Sequence, residues 1–255
     1  AASDVYKGQI YKHTIKCSEL KCINLDTIRG RKFKVVIDAV NGAGANALPE
    51  MLNLVGCEVV KLDCEPSGVF KRGTEPLPVN LSELSKQVLE NNADLGFAVD
   101  PDADRLAVVD EKGRPLGEEY TLVLSVDGYI NTLGVESDIF VSNLSTSIAL
   151  DKLALKNNCK VERSAVGEIN VVNKMNELDS NLGGEGNGGV ILRECHLCRD
   201  SLVAVTMVLN RVAQSTYPIS KISNSLPQFE IVKDKVNVDG IKIDDFLSTV
   251  NNYFN

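Results

Sequence analysis

From residue 34 onward, unbroken apolar runs alternate with stretches whose apolar residues recur every three or four positions. KVVIDAV, 34–40, has the pattern of a strand covered on both faces, and CEVVKLD, 57–63, predicts a second. Between them NGAG, 41–44, reads as a turn and 45–54 as a short amphipathic helix ending near Gly56. A loop rich in Gly and Pro follows, EPSGVFKRGTEPLP, 65–78. Asn80 or Ser82 is placed to cap a helix running to about residue 91, with Leu81, Leu84, Val88 and Leu89 at helical spacing. ADLGFAV, 93–99, and RLAVVD, 105–110, predict two strands bracketing an acidic loop, and 119–133 predicts a helix.

The order then starts again. DIFVSN, 138–143, is a strand; Ser145, Thr146 and Ser147 open a helix to about residue 157. CKVERSAV, 159–166, is a strand, 169–178 a helix, and NLGGEGNGGVILRE, 181–194, a glycine-rich loop running into a strand. A helix over 200–214 puts Leu202, Val205, Val208 and Leu209 on one face. Alternating elements of this length mean α/β layers. The restart near residue 118 predicts two similar consecutive mixed α/β domains, 1–117 and 118–232, each of roughly 110 residues and of ordinary domain size. Residues 233–255 read as the opening of a further unit that stops early.

Composition narrows the partners. Hydrophobic residues make up 44% of the 255, enough for sizeable cores, and the 24% charged share is that of a folded globular chain. The formal net charge is −8 with no Lys/Arg block, which argues against nucleic acid or an anionic membrane as the partner. An acidic protein that binds an anion needs a metal or a local basic cluster. No apolar stretch has membrane-spanning length and the N-terminus lacks a signal-peptide core, so a cytoplasmic protein with free thiols is expected. The cysteines number seven and are scattered. Only Cys195-His196-Leu197-Cys198 suggests zinc, and with the other cysteines distant in sequence, ordinary packing is the preferred reading there.

The acidic loop crowds Asp100, Asp102 and Asp104 into five residues, followed at once by Arg105 and an apolar run. Like charges this close repel, and burying them unpaired is costly. A calcium hand would align Asp100, Asp102, Asp104 and Glu111 with its ligand positions. Arg105 stands where that loop needs Gly, and both flanks read as strands. A solvated acidic turn leaves Arg105 and the buried strand unexplained. The favoured reading is a small hard cation, magnesium, held by three carboxylates with positions open to phosphate.

Two glycine segments carry further candidates. Gly42, Gly44 and Ala47 match G-x-G-x-x-A after a strand, with Asp63 about 20 residues on, the spacing of a dinucleotide site. A non-catalytic dinucleotide- or sugar-phosphate-binding module is therefore the alternative function. Nothing else in the chain supplies hydride chemistry, and a structural turn is preferred for these glycines. In GGEGNGG, 183–189, Glu185 and Asn187 are the only side chains with polar reach. One carboxylate and one amide suit a vicinal diol; a flexible hairpin without ligand accounts for the segment equally well.

Taken together, DPDADR (100–105) and GEGNG (184–188) resemble two ordered motifs of the α-D-phosphohexomutase family, D-x-D-x-D-R and G-E-x-[SN]-G. KVVIDAVNGAG, EPLPVNL, VGEINVVNKM and CRDSL agree as well, so the resemblance covers nearly the whole chain. It implies an isomerase that moves a phosphoryl group between the 1- and 6-positions of a hexose phosphate through a phosphoserine and a hexose bisphosphate. It further implies that Asp100, Asp102 and Asp104 hold Mg2+, that the catalytic Arg105 steadies phosphate, and that Glu185 and Asn187 bind sugar hydroxyls. The family's serine loop, T-A-S-H-N-P, and its C-terminal R-x-S-[GN]-T loop do not occur in these residues. By the resemblance, the chain corresponds to the two central domains of a four-domain enzyme and is inactive alone. Ala165 stands where many relatives carry Lys, Gly189 where some carry His, and Cys198 where Gly usually precedes Arg199.

Overall fold

The computed structural model describes residues 2–229, 240 and 242–254. Two helices that the hydrophobic pattern does not announce open the chain, α1 (Ala2–Ser18) and α2 (Leu25–Arg31). Apolar residues of α1 are not gathered on one side, which hides it from a periodicity reading. Asn24 caps α2 by accepting from the Thr27 amide, and Lys32 ends it in the left-handed conformation.

The first sheet is built from β1 (Lys34–Asp38), β2 (Glu58–Leu62), β3 (Leu95–Val99) and β4 (Leu106–Asp110), in the order β2-β1-β3-β4. Strand β1 runs parallel to both β2 and β3, and β4 returns antiparallel to β3 with Val99 opposite Leu106. Helices α3 (Gly44–Leu54) and α4 (Ser82–Glu90) make the crossovers. The second sheet repeats this plan. Strands β5 (Ile139–Asn143), β6 (Lys160–Ser164), β7 (Leu182–Glu185) and β8 (Gly189–Leu192) run in the order β6-β5-β7-β8, again with only the last antiparallel. The chain is thus two consecutive α/β/α units with mixed sheets. The repeat makes the acidic loop and the glycine loop equivalent, because each joins the third strand of its sheet to the fourth.

Helices α5 (Glu119–Leu133), α6 (Ala149–Lys156), α7 (Glu168–Glu177), α8 (Ser201–Ala213), α9 (Ile219–Ser225) and α10 (Ile243–Phe254) complete the described elements. Helix α5 packs on α8 and touches β4 of one sheet and β7 and β8 of the other. Helix α8 touches β4 and β8, and α1, α2 and α3 as well. One apolar cluster therefore runs from Phe97 and Leu106 through Leu122 and Val205 to Val190 and Leu192. Each large side chain fully buried there stabilises the fold by about 1.5–3 kcal/mol. Helix α8 is buried nearly all round, not on the single face its Leu and Val spacing suggests.

Several local expectations are revised. Neither Asn80 nor Ser82 caps α4: Asn80 closes a 3₁₀ turn, Pro78–Asn80, and its amide donates to the Glu75 carbonyl. Leu81, Leu84 and Val88 are buried, but Leu89 is 54% exposed. The first half of the glycine segment is itself strand β7. Residues 233–239, 241 and 255 of the expected third unit lie outside the described residues. Among the described residues no helix is long and apolar enough to cross a membrane.

Candidate active site

The turn from β3 into β4 is organised by Asp100, which is fully buried. Its Oδ1 accepts from the amides of Asp104 and Arg105, both at 3.1 Å, and its Oδ2 accepts from Arg105 Nε at 2.5 Å. One carboxylate thus closes the loop and fixes the arginine that follows it. Asp100, Asp102 and Asp104 each offer an oxygen, all within 4.8 Å of one another. Asp102 is exposed and Asp104 half-buried. Asp104 Oδ1 is buried without a hydrogen-bond partner, and burial, followed by the charge of Asp100, holds this carboxyl up at about 6. An all-oxygen set with an orphaned buried oxygen fits a hard cation, and magnesium suits it. The flanks are strands, and Glu111 accepts from the Ser220 amide at 3.1 Å, which rules out the calcium hand.

Arg105 does not point freely into solvent. Glu75 holds it with both oxygens, Nη2 donating to Oε1 at 2.9 Å and Nη1 to Oε2. The loop carrying Glu75 is itself tied down by Arg72, which donates to Asp38 at 2.6 Å and to the Val99 carbonyl at 2.7 Å. Burial raises the Asp38 carboxyl and Arg72 opposes that shift.

Glu185 does not sit on the flexible hairpin that its glycine-rich neighbours allow. It is 3% exposed. Its Oε1 accepts from Asn143 Nδ2 at 2.7 Å and the Gly167 amide at 3.1 Å, and its Oε2 from Arg199 Nη1 at 2.6 Å. Asn187, half-buried, accepts from the Gly189 amide at 3.2 Å and points its amide at Glu185 Oε2, 3.4 Å away. Neither Gly184 nor Gly186 has positive φ. Gly184 is required by close approach, since a Cβ there would lie 2.2 Å from the Gly189 carbonyl oxygen. Gly188 combines φ +93° with a would-be Cβ 2.4 Å from the Leu106 carbonyl oxygen. These glycines let the chain approach itself.

That approach joins the two loops. Leu106 donates its amide to Gly188 O at 3.0 Å, and Arg105 and Gly189 pair as an isolated antiparallel bridge. Arg199, next to the N-cap of α8, completes the junction. Its guanidinium donates to Asp104 Oδ2 and to Glu185 Oε2, lies 3.4 Å from Glu168 Oε2, and its backbone amide donates to Glu168 Oε1 at 3.0 Å. Sequence reasoning assigned Arg199 no role; the signal was the segment CRDSL, whose partners lie far away in the chain. Around the junction six carboxylates (Glu75, Asp100, Asp102, Asp104, Glu168 and Glu185) face two guanidiniums, Arg105 and Arg199. This charge deficit favours a bound cation.

The G-x-G-x-x-A turn is filled by protein. Ala43 donates its amide to Pro101 O at 2.8 Å, and a Cβ on Gly42 would lie 2.4 Å from that oxygen. Asp63, the expected ribose acid, pairs with Lys71 at 2.6 Å. The glycines seat the acidic loop, as a structural turn would.

Residues 11–113 match the family model for phosphoglucomutase/phosphomannomutase alpha/beta/alpha domain II, and residues 117–229 match that for domain III. The chain belongs to the phosphoglucomutase/phosphomannomutase family. It is 35% identical over 219 residues to a phosphoglucomutase/phosphomannomutase of Thermococcus kodakarensis, covering 86% of this chain and 48% of that protein. The fold resembles that of a putative phosphomannomutase from Thermus thermophilus, with TM-score 0.76 and 23% identity over 84% of this chain and 49% of the other. It also resembles an Aspergillus fumigatus N-acetylphosphoglucosamine mutase in complex with glucose 1,6-bisphosphate, with TM-score 0.56 and 15% identity over 83% and 48% of the two chains. The chain spans about half the length of the curated relatives it matches.

Proposed function

We propose that these residues supply the metal-binding and sugar-binding domains of a phosphohexomutase, which transfers a phosphoryl group between the 1- and 6-positions of a hexose phosphate through a phosphoserine and a bisphosphate intermediate. The observation that carries this reading is the Arg199 guanidinium shared by Asp104 and Glu185, which unites the two loops in one site. Asp100, Asp102 and Asp104 would hold Mg2+, which supplies charge neutralisation for a transferring phosphoryl group. Asp100 orders the loop and aims Arg105, whose fork now grips the half-exposed Glu75 and can exchange that carboxylate for a phosphate of similar geometry. Glu185 and Asn187 would take sugar hydroxyls, Glu185 accepting and Asn187 donating.

The glucose 1,6-bisphosphate bound by the Aspergillus fumigatus neighbour supports a hexose phosphate and its bisphosphate as ligands. The phosphorylated serine and a second phosphate-binding loop would come from outside these residues, so the chain alone is expected to turn over no hexose phosphate. We place the reaction in the cytoplasm, where the seven free cysteines would stay reduced. Saturation-transfer NMR in magnesium buffer tests the reading. Signals of glucose 1-phosphate and glucose 1,6-bisphosphate should show contact with the protein, weakened in Asn187→Ala, while NAD should show none. Contact with NAD and none with either sugar phosphate would refute it.

A further inference from the structure

One residue on from Arg199, on the side of Asp200, helix α1 meets the segment that leads into α8. His13 and Cys17, one helical turn apart and so on one face of α1, meet Cys195 and Asp200 there. The ligand atoms of these four residues all lie within 4.8 Å of one another. Cys17 is fully buried, Cys195 4% exposed and Asp200 6% exposed, so three of the four are withdrawn from water. His13 Nε2 lies 3.6 Å from Cys17 Sγ and 2.6 Å from Asp200 Oδ2. A zinc ion at ordinary Zn–N and Zn–S distances sets its ligand atoms roughly 3.3–3.8 Å apart. The cluster is therefore within small side-chain rotations of a tetrahedron.

We propose that His13, Cys17, Cys195 and Asp200 form a structural zinc site that clips α1 to the second unit. The donor set, two sulfurs with one imidazole and one carboxylate, is of the kind zinc selects and hard cations do not. Asp200 Oδ1 is engaged in capping α8, accepting from Leu202 at 2.8 Å, which leaves Oδ2 facing the cluster. His196 Nε2 lies 2.8 Å from that same Oδ2 and acts as the outer partner that orients the ligating carboxylate. Lys16 donates to the Cys195 carbonyl, which brings a positive charge to the edge of the cluster. Because His13 and Asp200 are 187 positions apart, metal bound here links distant parts of the folded chain and stabilises only that state.

The test uses the reduced, purified chain, stripped with chelator and then given zinc or cobalt. One zinc per chain should survive gel filtration, and Co2+ should produce a thiolate-to-cobalt charge-transfer band that zinc abolishes. Zinc should also raise the melting temperature. In Cys17→Ser the affinity should fall by at least the roughly 10–100-fold that loss of an outer partner costs, and His196→Gln should show that smaller loss itself. Cys198→Ser, an exposed position outside the cluster, should bind as the parent does. Absence of retained zinc and of the cobalt band in the unsubstituted chain would overturn the proposal without reliance on any variant. So would a Cys17–Cys195 disulfide in the zinc-treated protein, or a cobalt band persisting after both thiols are replaced by Ser.

Discussion

Replacing Glu185 by Ala removes a buried carboxylate with several fixed partners. The variant loses bonds from Arg199 at 2.6 Å, Asn143 at 2.7 Å and Gly167 at 3.1 Å. Removing one partner of a buried ion pair costs about 3–5 kcal/mol, because the remaining charge stays buried and uncompensated. Here Arg199 keeps Asp104 and Glu168, which lowers the cost. The unpaired Asn143 amide and Gly167 N–H add to it. A net loss of about 3 kcal/mol follows, and for a chain of this size that lowers the melting temperature by about 6–12 °C. Far-UV circular dichroism during a thermal ramp measures it, with Glu177→Ala, an exposed position, as control. A change below about 1 °C would show that Arg199 does not depend on Glu185, and the shared-guanidinium account of the junction would be wrong. A Glu185 free on a flexible hairpin, the other reading of the glycine-rich segment, requires that small value. The two accounts are therefore separated by one melting curve.

Gly188→Ala should destabilise by about 1–3 kcal/mol and loosen the joined loops, since φ +93° is strained for alanine and its Cβ would meet Leu106 O; a parental urea midpoint would contradict this. Asp102→Asn should weaken Mg2+ binding by about tenfold, or about 1.4 kcal/mol, in calorimetry. Because Asp102 is exposed, its melting temperature should stay within about 1 °C of the parent; unchanged magnesium affinity would remove Asp102 from the ligand set. Glu75→Ala should free the Arg105 fork and tighten inorganic phosphate several-fold in a salt-dependent way, at a stability cost of about 1 kcal/mol or less. Equal phosphate affinity in the two proteins would mean that Glu75 does not compete with anions for Arg105.

Strands, crossover helices and the doubling of the plan were legible from local pattern alone. A fully buried strand such as LGFAV, or a helix such as 119–133, declares itself in its own residues. The acidic loop was legible for the same reason, since three carboxylates at alternate positions create a local electrostatic problem wherever they are placed. Pairing across the chain was not legible. Arg199 acquires its role only when α8 brings it to Asp104, 95 residues earlier, and Glu185 becomes a buried anchor only once Asn143 and Arg199 close over it. Helix α1 lacks a one-sided apolar stripe, so nothing in its sequence shows that His13 and Cys17 face Cys195. Periodicity records which face of an element is apolar; it carries no information about which distant element covers that face. Burial, and with it the strength of every charge and hydrogen bond at the junction, is decided by that covering, so only the tertiary structure could settle it.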